Sequence, residues 1–136
     1  MYKCRHFKIH ELVSPYVYNT RGEKAWQLLD ERGLITIDRL RDRYGKMTIN
    51  NYAWGGDRKY SGLRISGDPH YSPFSQHSFG RGFDSLFENH DVETIRREIL
   101  ADPDHEDFKY IGALELGVTW LHFDTRNTDR ILTFYP

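Results

Sequence analysis

The chain contains three side chains suited to holding a metal ion: His77, Asp84 and His122. The first two lie in Ser75–Phe87, SQHSFGRGFDSLF, with Gly80 and Gly82 between them. Alternation along GRGFDSLF sets Gly82, Asp84 and Leu86 on one strand face and Phe83, Ser85 and Phe87 on the other. An aspartate that shares an inward face with Leu86 is costly unless something compensates its charge. In WLHFDTR the same alternation groups Trp120, His122, Asp124 and Arg126, and leaves Leu121 and Phe123 for the core. Zinc accepts histidine nitrogen and carboxylate oxygen tetrahedrally, and catalytic sites use three protein ligands with one open position. His77, Asp84 and His122 meet that count, and the glycines let the chain turn between the first two. The same spacing also suits an Asp–His or Asp–Arg ion-pair network in an ordinary sheet.

The other histidines, His6, His10, His70, His90 and His105, stand in polar or loop contexts. None has a carboxylate or histidine at a repeating spacing, which is the pattern of surface or structural histidines. Cys4 is the only cysteine, so neither an internal disulfide nor a cysteine-based zinc knuckle can form.

These candidates need elements to position them. Ala25, Leu28 and Leu29 predict a helix over about Glu23–Glu31, stopped by Gly33. Ile37 and Leu40 predict a second, from Thr36 as N-cap to Tyr44, ended by Gly45. KMTINNYAW reads as a strand through Met47 and Ile49. Gly55–Phe79 is rich in Gly, Pro, Ser and Tyr, and a loop of that length is usually functional. With Trp54, Tyr60, Tyr71 and Phe74 it is expected to wall a cleft. Asp91 caps a third helix, to about Leu100, stopped by Asp102-Pro103. Two strand signals close the chain, YIGALELGVTWLHFDTR and RILTFY, divided by Asn127–Asp129. The expected class is α+β, a small and mostly antiparallel sheet packed with about three helices in a single domain over 1–136.

Composition narrows the function. With 136 residues, 38% hydrophobic, 29% charged and a net charge of −1, the chain suits one globular domain. It has no basic stripe for nucleic acid, and no apolar run approaches the ~20 residues needed to span a bilayer. The N-terminal MYKCRHFKIHELV is broken by charges and lacks a secretory signal's apolar stretch, so synthesis in a reducing cytosol is expected.

Ser75-Gln76-His77-Ser78-Phe79-Gly80-Arg81-Gly82-Phe83-Asp84 resembles the S-x-H-x-x-G-x-A-x-D signature of the D-alanyl-D-alanine carboxypeptidase family of zinc peptidases, with Gly82 where Ala is usual. That family also holds D-Ala-D-Ala dipeptidases, phage L-alanyl-D-glutamate endolysins and the hedgehog fold. Ser61-Gly62-Leu63-Arg64 is similar to its S-G-x-R element, and Trp120-Leu121-His122 to its late W-x-H. The three elements stand in order and, with FKIHELVSP, cover most of the chain. The compact form looks most like short phage or prophage members.

The resemblance implies that His77, Asp84 and His122 bind Zn²⁺, that Arg64 stabilises the oxyanion, and that Ser75 orients substrate or a ligand. It implies a peptidase acting on peptidoglycan peptides at a D,D- or L,D-type bond. Release to the cell wall during lysis, or assembly with other phage virion or lysis proteins, is the expected route to that substrate. One position departs: the family's general base lies three residues before the last histidine, where this chain has Thr119. A hydroxyl of ordinary pKa cannot serve there at neutral pH. Asp124 is the nearest substitute, as base or as a carboxylate that orients a ligand. Glu115 falls on the opposite alternation. A catalytically silent zinc-binding fold, used as a virion or binding component, is the alternative expectation.

Overall fold

The fold is described from a computed structural model covering all 136 residues. Ser14 opens the first helix, α1 (Pro15–Arg21), by accepting a hydrogen bond from the Val17 amide, and Pro15 fills a helix position that needs no donor. The next segment, Gly22–Leu28, is 3-10 helix rather than the expected α-helix over 23–31. The second helix, α2 (Glu31–Tyr44), starts at Asp30, not Thr36. Thr36 lies inside it and its hydroxyl donates to the Arg32 carbonyl. Gly33 is not a stop: a Cβ there would stand 2.8 Å from the Phe83 ring, so the glycine lets helix and sheet approach closely. Gly45, at φ 81°, ends α2 as expected.

Strand β1 is only Met47–Thr48. The chain then leaves the sheet because Asn50 is drawn aside, donating to the Val13 carbonyl and accepting from the Ser61 amide. The segment Gly55–Phe79 has no strand or α-helix and ends in a 3-10 turn, Gln76–Phe79. Strand β2 (Gly82–Phe87) follows, then α3 (Val92–Ala101), capped by Asp91. The stretch read as one long strand is two, β3 (Ala113–Glu115) and β4 (Leu121–Asp124), and β5 (Leu132–Phe134) completes the sheet.

Sheet order is β1-β2-β4-β3-β5, antiparallel except for the parallel β3–β5 pair. The class is α+β, with three helices and five strands. Phe83, Leu114, Leu121 and Phe123 project into one core with Leu34, Ile37 and Leu40 of α2 and Ile95 and Ile99 of α3. Each such side chain contributes roughly 1.5–3 kcal/mol of burial. Leu86 is exposed, so the face it shares with Asp84 is not the core face. That face, carrying Asp84 and His122, forms the floor of a cleft.

Candidate metal centre

The segment Ser61–Arg64 ties the site together. Ser61 accepts from the Asp84 amide at 2.8 Å. The Gly62 carbonyl lies 2.8 Å from His77 Nδ1, and the Arg64 amide donates to the His77 carbonyl. Gly62 must be glycine, because a Cβ there would collide with the Leu12 carbonyl. His77 sits in the 3-10 turn, which Ser75 caps by accepting from the His77 amide. Gly80 ends the turn in the left-handed region at φ 69°. Its carbonyl accepts from the amide of Asp30, whose side chain also accepts from Thr125 just beyond β4. Asp30 therefore anchors both ligand-bearing segments to the start of α2.

Pairing of β2 with β4 sets Asp84 directly across from His122. One metal-binding atom from each of His77, Asp84 and His122 lies within 4.8 Å of the others. Asp84 Oδ1 is 2.8 Å from His122 Nδ1 and 3.3 Å from His77 Nε2. The outer nitrogen of each ring is held: His77 Nδ1 by the Gly62 carbonyl, His122 Nε2 by Asp124 at 2.9 Å. A carbonyl only accepts, so Nδ1 of His77 carries a proton and Nε2 is left to face Asp84. Such outer partners orient ligating histidines. Two imidazole nitrogens and a carboxylate oxygen converging with both rings pinned from behind are a donor set that fits a metal ion. The group of His77, Asp84 and His122 could hold one.

Two groups of the cluster have shifted pKa values. Burial works against a charged His122, yet hydrogen bonds to Asp124 and Asp84 outweigh it and raise its pKa to about 9. Burial likewise opposes a charged Asp84, but its contacts with His122 and His77 hold its carboxyl well below the usual carboxylate range. Both shifts have one source, the close packing of imidazole and carboxylate in a buried cluster.

Arg64 is 3.1 Å from Asp84 Oδ2 and donates from Nε to the Tyr60 carbonyl, so it orients Asp84 while it lines the cavity. Asp124 is fully buried behind His122, and Arg126 grips both of its oxygens. Of the two roles open to Asp124, its position is that of the carboxylate orienting a ligand. Ser75 lines the cavity and caps the turn.

The cavity over this floor measures about 510 Å³. Phe74 contributes to it, but Trp54 instead packs edge-on against His10. Lining residues beyond the expected set include Arg58 and Phe134, which carry no local sequence signal, and His70 and Glu115, which the sequence reading sets aside. Alternation carried through 110–126 as a single strand puts Glu115 on the face away from His122. The chain instead reverses between β3 and β4, with Gly117 at φ 75°, and reversal cancels any parity argument across it. Ala113 pairs with Asp124 and Leu114 with Phe123; Glu115 follows in the register that runs toward His122, and both line the cavity. Glu115 in turn pairs with Phe134 of β5. The Asp84–His122 and Glu115–Phe134 pairs thus fall along one row of the cavity floor. Thr119 is exposed within the reversal and faces a different depression, beside Leu86 and Val92.

Comparison with protein families, with curated proteins and with solved structures returns no match.

Proposed function

We propose that this chain is a zinc-dependent peptidase acting on the stem or cross-bridge peptides of peptidoglycan. The observation that carries the reading is the convergence of His77, Asp84 and His122 within 4.8 Å on a cleft floor, with an orienting partner behind each histidine. The resemblance of Ser75–Asp84, Ser61–Arg64 and Trp120–His122 to zinc D-alanyl-D-alanine peptidases supplies the metal and the substrate class. When bound, zinc supplies Lewis-acid polarisation of the scissile carbonyl and lowers the pKa of the attacking water.

The chain's own residues do the rest. Asp124 and Gly62 hold the two rings in position. Arg64 steadies Asp84 and places a fixed positive charge at the cavity, where an oxyanion can be stabilised. The Arg58 guanidinium bonds only to the Ile49 and Asp84 carbonyls and has no carboxylate partner, so its charge is free for an anionic stem peptide. Ser75 and Phe74 present a hydroxyl and an apolar face to the bound peptide.

Purified protein loaded with zinc should release new peptide products from a muropeptide digest, and His77→Ala should abolish both zinc binding and cleavage. Cleavage retained by that variant would refute the reading. The exposed Thr119, turned away from the cavity, favours a second reading, a zinc-stabilised fold without turnover. Stoichiometric zinc with no new products selects it.

A further inference from the structure

Three carboxylates stand on the row and strand end that build the cleft floor, and two are already engaged. Asp84 gives Oδ1 to the histidine pair and Oδ2 to Arg64. Asp124 is buried, with both oxygens on Arg126 and one also on His122. Glu115 is the third. It is half-buried, lines the cavity beside His122, forms no salt bridge and follows directly on the Leu114–Phe123 pair, in the register that runs toward His122. Facing positions of an antiparallel ladder have Cβ atoms about 4.5–5.5 Å apart, and a glutamate side chain in that register reaches a group held over the histidine. A proton acceptor must lie within hydrogen-bond reach of the proton that it takes, directly or through one water.

We infer that Glu115 is the general base of this site, replacing from a neighbouring strand the carboxylate that Thr119 cannot supply. The role rests on the peptidase reading above. In the reaction, water oxygen bonds to the scissile carbonyl carbon while one water proton passes to the Glu115 carboxylate. The C–N bond then breaks, and Glu115 delivers that proton to the departing amine nitrogen. The second water proton remains with the new carboxyl group and is lost to solvent, leaving Glu115 as it began. Phe134, the cross-strand partner of Glu115 on β5, packs edge-on to His122 with ring centroids 5.7 Å apart and screens this side of the site from water.

The test compares wild type, Glu115→Gln and Glu115→Ala, each loaded with zinc, on a muropeptide digest. Zinc affinity is measured by chelator competition, and inhibition by a phosphinate analogue of the stem peptide is measured in parallel. A general base contributes roughly 10²–10⁴-fold. Glu115→Gln should lose at least 100-fold in kcat with zinc affinity unchanged within about threefold. The phosphinate should bind Glu115→Gln, which still donates a hydrogen bond, at least tenfold more tightly than Glu115→Ala. Cleavage by Glu115→Gln at the wild-type rate would overturn this role and leave the peptidase reading standing. A tenfold fall in zinc affinity in that variant would overturn it by making Glu115 a ligand. Absence of products from the wild type itself would overturn the peptidase reading, and this role with it.

Discussion

Asp124 stands directly behind His122, 2.9 Å from Nε2 and on the opposite side of the ring from Asp84. The imidazole is therefore clamped between two carboxylates, one facing the cavity and one buried. Replacing the buried one should change the ring's basicity and aim without removing a ligand. Asp124→Asn is expected to weaken metal binding about 10- to 100-fold, read by competition with a chromophoric chelator. An unchanged affinity would mean that the fold, rather than Asp124, orients the ring.

Metal removal should show in stability. A metal that binds only the folded chain stabilises it by about 2.7 kcal/mol at 100 times its dissociation constant. For a domain of this size, that is a rise in Tm on the order of 10 °C. Treatment with a chelator should lower the melting temperature by that amount, and zinc should restore it. His77→Ala should melt at the same temperature with or without zinc. A wild-type protein whose melting ignores both chelator and zinc would have no structural metal.

The sequence made α3, the end of α2 and the strand bearing Asp84 legible, because a capping aspartate, a terminating glycine and period-two alternation are local signals. The three residues that could hold a metal ion were legible too, since metal chemistry restricts the residue types. What failed was everything set by contact between distant segments. Gly33 looked like a stop because nothing local announces that the Phe83 ring occupies the space a side chain would need. Ser14 and Pro15 are a local helix start, whereas the apolar spacing of Ala25, Leu28 and Leu29 points to the segment that forms 3-10 helix instead. Leu86 was taken as an inward neighbour of Asp84, although it is exposed. Glu115 was lost to a reversal hidden within a continuous run of strand-forming residues.

Gly33→Ala sets two effects against each other. Alanine gains about 1 kcal/mol of helix propensity over glycine in a helix interior. Its Cβ would meet the buried Phe83 ring at 2.8 Å, and overpacking costs roughly 1–3 kcal/mol. Phe83 is fully buried on the sheet's core face and has little room to give. The expected outcome is a net loss of about 1–2 kcal/mol in urea unfolding, with weaker metal binding because Phe83 adjoins Asp84. A stabilised variant would show that the ring can shift.

Cys4 should be chemically quiet. Burial first, and the nearby Asp38 carboxylate second, push its thiol well above the ordinary range, and Sγ lies 3.6 Å from the Leu34 carbonyl. Because the thiolate is the nucleophile, iodoacetamide at about pH 8 should modify the folded protein at least tenfold more slowly than the urea-unfolded chain. Equal rates would mean that the N-terminal segment opens readily from α2.

Antiparallel pairing of β3 with β4 separates two quantities that a linear motif treats as one. Distance along the chain between Glu115 and His122 depends on the reversal Leu116–Trp120, whereas distance in space depends on the ladder alone. Arg96, buried on α3, clamps that reversal from outside through the Val118 and Trp120 carbonyls. Insertions between these anchors would lengthen the interval in numbering and leave the two side chains on the same cavity. A site of this design has no fixed spacing to recognise, only a fixed neighbour.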